Sequence, residues 1–308
     1  MKTAIDIGTN TVLLLVATVE EGCLNIIEEQ QRVPRLGRGV DHDNKITDTA
    51  ASRVIEVLLE YREILDTKFP DAESPVITAT SAVRDAANRK DFITRCAHKT
   101  GFNIKVLSGN EEAEYTYQGA QSVLPANKAG RSQTVLDIGG GSTEIADGRG
   151  EQLAESHSFD MGCVRYTERF LGADIPTNGE IKACRRAVRD QLEAGAISIS
   201  DRTQLIGVAG TITSLAMAKL ELTEYDPALI NGYTLSLSGI RSLMRSFSRL
   251  LPKEIESQYP EALGGRAEII LAGLLILEEV MSYYNQRKLT VSTGGIRHGA
   301  ILEDNRMQ

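Results

Sequence analysis

Tryptophan is absent and aromatic residues make up only 5% of the chain, so little is on hand to line an aromatic pocket for a nucleobase. Cysteine is scarce too. Cys23, Cys96, Cys163 and Cys184 are scattered, with no C-x-x-C pair and no histidine at metal-binding spacing. That argues against a disulfide framework and for a reduced, cytoplasmic setting. His42, His98 and His157 show no spacing of a ligand set. No apolar run reaches about 18 residues, so no membrane span is expected. The most apolar stretch, "IILAGLLILEEVM", is interrupted by glutamates and reads as a buried helix. Positive charge is in deficit. The formal net charge of −8 speaks against non-specific binding to nucleic acid, though it leaves room for a local basic groove. Strand-like residues begin close behind Met1, and no signal peptide is expected ahead of them.

What is present is the balance of a globular protein, 42% hydrophobic and 25% charged over 308 residues, enough for one large domain or two ordinary ones. Residues 3–7 and 12–19 are β-rich and joined by a tight "GTN" turn, and 24–30 reads as a third strand. "RVPRLGRGVDHDNKIT" is a polar loop. Helical spacing follows from Thr47 or Asp48, a candidate N-cap, to residue 69. "SPVITATSAVRDAANRKDFITRCAHKTG" reads strand, loop, helix, with Gly101 as the stop. "NIKVLSG" is a strand and "NEEAEYTYQGAQSVL" a helix. Residues 125–133 look like a surface connection. The opening pattern then returns. "TVLDIGGGSTEIADG" at 134–148 parallels "TAIDIGTNTVLLLVA" at 3–17, with Asp6 and Asp137 in register. Helices are expected over "NGEIKACRRAVRDQLEAGAISI", 236–251 and 261–285, and "QLIGVAGTITSLAMAKL" and "KLTVSTGGIRHGAILED" read strand, glycine turn, helix. The order implies an α/β fold with helices covering sheets.

Four turns share one design, an apolar strand followed by glycine with Ser, Thr or Asn: 6-DIGTNT-11, 137-DIGGGST-143, 207-GVAGTITS-214 and 292-STGGIRHG-299. Bare backbone turns sharply and comes close to a ligand. Successive N–H groups form a concave anion site, and a following helix adds its N-terminal partial charge. Any one such turn is ordinary hairpin chemistry, but four of them, two duplicated with the aspartate in register, suit a phosphate cleft. Asp6 and Asp137 would repel a phosphate unless a divalent cation lay between them and its oxygens. A dinucleotide fold is the weaker competitor, because "GGGSTE" lacks G-x-G-x-x-G spacing and runs into a strand.

The paired D-I-G turns resemble the actin, sugar kinase and Hsp70 ATPase superfamily, which has two ribonuclease-H-like domains with mixed sheets around a central phosphate cleft. Within it, "AIDIGTNTVLLLVA", "ATSAVRDAANRKDF", "LSGNEEAEYTYQGA", "LDIGGGSTEI", "MGCVRYTERF", "VAGTITSLA" and "VSTGGIRHGAI" occur in the order and spacing of the exopolyphosphatase/guanosine pentaphosphate phosphohydrolase family. The resemblance covers essentially the whole chain, and it matches the short two-domain members without the extra C-terminal helical domains of long ones. It implies two actin-like domains, at 1–118 and 119–298, with a last helix at about 299–308 crossing back onto the first. It implies hydrolysis of a terminal phosphoanhydride, of inorganic polyphosphate or of pppGpp, with Mg²⁺ or another divalent cation. A homodimer is a family-level expectation. A sugar or acetate-type kinase and a non-enzymatic phosphate sensor are the readings from other classes, and the "EEA" and "TSAVR" blocks argue against the kinase.

Glu111, Glu112 and Glu114 cluster, and the residues alone do not choose among them; the resemblance selects Glu112 as the general base. It maps the phosphate-clamping arginine to Arg84 and the metal-side or water-side carboxylates to Asp137 and Glu144, with Asp6 as a further metal-side ligand. Gly139, Gly140, Gly141, Ser142 and Thr143 are the expected N–H and hydroxyl donors to the terminal phosphate, joined by Asn10, Thr11, Gly210 and Thr211. Arg35 and Arg38 sit in a loop that could guide a polyanion, and Arg266 and Arg297 lie near the last turns. His298 stands where many relatives carry an acidic residue, which leaves the final loop without an assigned role.

Overall fold

Six successive buried residues, Lys2–Ile7, form the central strand β1 of one sheet, which is why Ala4, Ile5 and Ile7 are apolar on both faces around Asp6. The structure, a computed structural model, describes residues 1–20, 22–125, 132–172, 174–195, 197–200 and 202–307. It divides into two units, Met1–Ser122 with Gly295–Gln308, and Val123–Gly294. The chain passes between them a few residues from the divisions expected at 118/119 and 298/299. Most of the expected connection at 125–133, residues 126–131, lies outside the described residues.

In the first unit, β1 is followed by β2 (Val12–Glu20), β3 (Cys23–Arg32), β4 (Val76–Ala79) and β5 (Ile104–Val106), in the order β3-β2-β1-β4-β5. The first three pair antiparallel, while β1, β4 and β5 run parallel. Parallel neighbours need crossovers, supplied here by helices. The Asp48–Lys68 helix buries Ala51, Val54, Ile55, Leu58, Tyr61 and Leu65 at three- and four-residue spacing. Thr47 caps it, accepting from the Ala50 amide at 3.2 Å. Gly101, at φ 71°, ends the Arg89–Thr100 helix as a left-handed cap. "TSAVR", expected as loop, forms the short helix Ser81–Asp85. The C-terminal helix Ile296–Met307 belongs to this unit and crosses the Gly109–Ser122 helix backbone to backbone. A Cβ on Gly119 would lie 2.0 Å from the Gly295 carbonyl oxygen, and one on Gly299 2.0 Å from that of Tyr115.

The second unit repeats the order. Its strands are β6 (Ser132–Ile138), β7 (Thr143–Arg149), β8 (Gln152–Phe159), β9 (Gln204–Val208), β10 (Thr234–Ser236) and β11 (Lys288–Val291). They lie as β10-β11-β9-β6-β7-β8, with β6, β9 and β11 parallel and the rest antiparallel. Read from β8 to β11, this is the first sheet again, with the short strand β10 added at an edge where the sequence shows no clear strand signal. The Ile270–Tyr283 helix is buried from Ile270 to Met281. Each Leu or Ile so buried is worth about 1.5–3 kcal/mol, which makes this helix the spine of the unit's core. The helical stretches expected over 236–251 and 261–285 are broken: Leu237–Phe247 and Ile270–Tyr283 are separated by two short helices that begin at Pro252 and Pro260. The α/β class with two mixed, helix-flanked sheets is the one expected.

Candidate active site

In the first unit the site starts at the β1–β2 hairpin. The Gly8 amide donates to the Thr11 carbonyl at 2.9 Å, leaving Thr9 and Asn10 as a two-residue tip. The tip carbonyls are taken from behind: the Gly37 amide donates to Thr9 O at 2.7 Å and that of Arg35 to Asn10 O at 3.0 Å. Among the described residues, the Thr9 and Asn10 amides meet no backbone acceptor, and the buried Asn10 Nδ2 has no protein partner. Unmade donors of this kind are costly unless a ligand answers them.

Asp6, one turn back on β1, is 7% exposed and accepts from Thr78 Oγ1 at 3.0 Å. Burial pushes its carboxyl up to about 6, against the Thr78 hydrogen bond and the Arg297 charge, which pull it down. The folded state therefore holds this proton more tightly than the unfolded chain does. The resulting stabilisation is complete below about pH 4 and is lost as the pH rises through about 6. Asp6→Asn keeps the Thr78 contact and removes the buried charge. Without divalent ions it is expected to stabilise the protein at pH 8 by on the order of 2 kcal/mol, and hardly at pH 4. Thermal melts at both pH values decide; equal shifts at the two would overturn the cause given.

The hairpin tip is tied to the elements that carry Arg84 and Glu112. Thr9 Oγ1 and Ser81 Oγ are 2.9 Å apart, and Ser81 opens the short helix that carries Arg84. Arg84 Nη1 donates to Glu112 Oε2 at 2.7 Å and to the Leu107 carbonyl at 3.1 Å. Glu112 is 5% exposed. The three clustered glutamates now separate. Glu111 accepts from the Ser108 amide and hydroxyl, both at 2.9 Å, while Ser108 Oγ accepts from the Glu111 amide, the reciprocal capping box of a helix start. The Lys105 hydrogen bond, with help from Ser108, lowers its carboxyl to about 2. Glu114 is exposed. Only Glu112 is buried against the arginine. The S-x-x-E spacing of Ser108 and Glu111 was legible in the sequence and would have removed Glu111 from the candidates.

The second unit repeats the hairpin with different residues. Gly139 donates to Ser142 O at 3.0 Å, leaving Gly140 and Gly141 at the tip. Again the carbonyls are taken from behind: Gly139 O accepts from the Cys163 amide at 2.9 Å, Gly140 O from Val164 at 2.8 Å and Arg165 at 3.1 Å, and Gly141 O from Arg165 Nε at 2.6 Å. Among the described residues, the Gly140, Gly141 and Ser142 amides meet no protein acceptor. None of these three glycines has a left-handed φ. Bare backbone serves close approach instead: a Cβ on Gly162 would lie 2.4 Å from the Gly140 carbonyl. Asp137 and Glu144 are cross-strand partners, 6% and 1% exposed, so their carboxylates share one face of the β6–β7 ladder. Ser158 Oγ donates to Glu144 Oε1 at 2.7 Å.

A third element joins at the β9–helix junction. Thr211 Oγ1 donates to Ile138 O at 3.3 Å, linking the Ala209–Leu220 helix to the tip strand. Ala209 takes φ 68°, a strained conformation for a residue with a Cβ. At Gly210 the place of a Cβ is filled by the Arg266 guanidinium, whose Cζ would be 2.1 Å away. Arg266 is 8% exposed, and among the described residues its guanidinium donates to no protein acceptor. Burial pushes it below its ordinary value, with Cys163 offsetting part of the shift. A buried cation with no anion partner, seated over a helix N-terminus, is typed for a bound anion.

Several expectations change. The Gly139 amide is used inside its hairpin, and the Thr143 hydroxyl donates to Met161 O at 2.6 Å, so neither is a spare donor; the tip amides and Ser142 remain. Arg297 does not line an opening: it donates to Leu14 O at 2.6 Å and Glu29 Oε1 at 3.0 Å, tying the last helix to β2 and β3. His298 is buried, its Nδ1 accepts from the Gly295 amide at 3.2 Å, and burial followed by the Arg297 charge pushes it down to about 3. It is a neutral cap on the C-terminal helix, which is the role the final loop lacked. Of the two arginines expected near the last turns, Arg266 rather than Arg297 is the one left over a glycine turn; Arg165, bonded to the Gly141 carbonyl, is the residue sequence reasoning did not single out.

The carboxylates fit a hard divalent cation of partial protein ligation. Asp137 and Glu144 are buried side by side as cross-strand neighbours, an oxygen pair of the kind such an ion takes. Among the described residues no group of three or more His, Cys, Asp or Glu gathers to hold an ion alone, so phosphate oxygens and water would complete the shell.

The Ppx/GppA phosphatase family model matches residues 15–307. Exopolyphosphatase 2 of Mycobacterium tuberculosis is 35% identical, over 97% of each chain. The crystal structure of the Aquifex aeolicus Ppx/GppA family member aligns with a TM-score of 0.81 at 29% identity, covering 99% of this chain and 97% of that one. An exopolyphosphatase from Cytophaga hutchinsonii aligns with a TM-score of 0.87 at 26% identity, covering 98% and 97%. Matched by the family model over nearly its whole length, and 35% identical to a curated relative across 97% of it, this chain belongs to the Ppx/GppA phosphatase family.

Proposed function

We propose that this protein is an exopolyphosphatase, removing the terminal phosphate of inorganic polyphosphate as orthophosphate. The observation that carries the reading is Glu112, a buried carboxylate fixed by Arg84 at 2.7 Å on the element joined to a hairpin tip of open amides. Glu112 takes the proton of a water that attacks the terminal phosphorus, and the bond from that phosphorus to the bridging oxygen breaks. Arg84 orients Glu112 and faces the phosphoryl oxygens. The amides of Gly140, Gly141 and Ser142, with Arg266 and Arg165, are the phosphate donors of the second unit, and Asn10 and Thr11 those of the first. Asp137 and Glu144 are the carboxylates that would hold Mg²⁺, which when bound neutralises phosphate oxygens, and Asp6 is the metal-side candidate of the first unit.

The absence of tryptophan and the scarcity of aromatics favour a substrate without a base to stack. The related activity, removal of the 5′-terminal phosphate of pppGpp, uses the same chemistry and is the second arm of the test. Purified protein with Mg²⁺ is expected to release orthophosphate from long-chain polyphosphate faster than from pppGpp. A faster pppGpp reaction would exchange the two substrates. No release from either, by folded protein that still binds phosphate, would overturn the hydrolase reading.

A further inference from the structure

The chain is acidic overall, yet residues 227–253 contain no Asp or Glu and four cations, Arg241, Arg245, Arg249 and Lys253. Arg241 and Arg245 lie on the Leu237–Phe247 helix, with Arg249 just beyond its end. The Asn178–Gly195 helix adds Arg185, Arg186 and Arg189. Two carboxylates of the core helix bind the two sets together. Glu278 and Glu279 are each 4% exposed. Arg185 bonds both of them. Arg241 donates to Glu278 at 2.8 Å and to Ser282 at 3.1 Å. Arg189 donates to Glu279 at 2.7 and 3.1 Å. Burial alone would raise the Glu278 carboxyl; Arg241 and Arg185 reverse this and lower it, so both helices are charge-locked to one anchor.

The lock leaves charge over. Arg186, Arg245 and Arg249 are exposed and make no ion pair among the described residues, not even Arg186 with Asp190 one turn along. Six guanidinium groups outnumber the four carboxylates of Glu278, Glu279, Asp190 and Glu193. Arg241 and Arg245 lie about one turn, roughly 6 Å, apart on their helix, and Arg249 follows four residues on, just past the helix end. Forked cations recurring in this way suit an anion that repeats along its length, and guanidinium prefers phosphate oxygens.

We propose that this arginine face is a second binding site, taking the tail of a long polyphosphate chain whose end is under hydrolysis. The inference rests on the exopolyphosphatase reading. Arg185, Arg189 and Arg241, pinned by Glu278 and Glu279, hold the two helices in register, and Arg186, Arg245 and Arg249 take up the phosphates. Only a chain long enough to occupy both sites at once gains affinity from this face.

The test is the triple variant R186Q/R245Q/R249Q, which alters no ion pair of the described residues. The KM for long-chain polyphosphate is expected to rise about tenfold and its salt dependence to flatten, because fewer counterions are released. Turnover of tripolyphosphate, and kcat on both substrates, should stay within about twofold of the parent, since tail contacts bind ground and transition states alike. An unchanged long-chain KM, or an equal rise for tripolyphosphate, would overturn the proposal. Direct binding of long-chain polyphosphate separates this from the parent reading. If no substrate is turned over but the parent protein binds polyphosphate and the variant does not, the face stands and the hydrolase reading fails. Duplex DNA or anionic vesicles bound as tightly at the same salt would reassign the face to another partner.

Discussion

Replacing Glu112 with glutamine should lower phosphate release by about 10²–10⁴-fold, the usual contribution of a positioned general base. Glutamine keeps the volume and can still accept from Arg84, so the buried pair loses its charge but not its shape. Binding of polyphosphate should survive, because the contacts proposed for it are amides and arginines elsewhere. The loss is then expected in kcat with little change in binding, the mark of a group needed only in the transition state. Glu111→Gln is the matched control. Its carboxylate serves the Ser108 capping box and Lys105, so its loss should cost stability of a few tenths to about 1 kcal/mol and leave turnover within about twofold. Single-turnover phosphate release on both variants decides. If Glu111→Gln is the more damaged enzyme, Glu112 is not the base.

Gly299→Ala should be strongly destabilising. The new methyl would sit 2.0 Å from the Tyr115 carbonyl oxygen and 2.6 Å from its carbon, and backbone atoms cannot rotate away. The C-terminal helix must lift from the Gly109–Ser122 helix, exposing the small core of Ala4, Leu15, Leu107, Ala300 and Ile301. We expect a loss of about 3–5 kcal/mol, a large share of the roughly 5–15 kcal/mol that stabilises a typical domain. Because Glu112 lies on the Gly109–Ser122 helix that loses this packing, activity should fall with stability. Gly179→Ala is the contrast: its Cβ meets only Thr177 Oγ1 at 3.7 Å on an exposed helix start, so a neutral effect or a gain of up to about 1 kcal/mol is expected. Urea unfolding of both variants checks the pair. A Gly299→Ala protein within 1 kcal/mol of the parent would mean the two helices can part freely.

The sequence by itself determined the elements and their doubling. Thr47, Gly101, the D-I-G turns and the helical apolar spacing act over a few residues, and short-range rules read them correctly. The same rules missed where proline at 252 and 260 divides the helices of the second unit, and the three-residue strand β10, whose pairing with β11 comes from a distant part of the chain. They supplied the hairpin tips too, but not the close approach of Gly162 and the 163–165 amides behind the second tip, which comes from a later stretch of chain.

Only the tertiary structure decided which polar groups are spent and which are spare. Thr143 and Arg297 look like ligand donors in sequence and are consumed by Met161, Leu14 and Glu29. Arg266 looks no different from Arg297 in sequence, yet it is buried over Gly210 and, among the described residues, donates to no protein acceptor. Three equivalent glutamates become one because Ser108 and Lys105 engage Glu111, solvent surrounds Glu114, and Arg84 reaches Glu112. The physical reason is common to all of these. Local sequence sets backbone conformation through sterics and capping, whereas the cost of a buried charge or an unmade hydrogen bond depends on partners brought in from far along the chain, and folding alone supplies them.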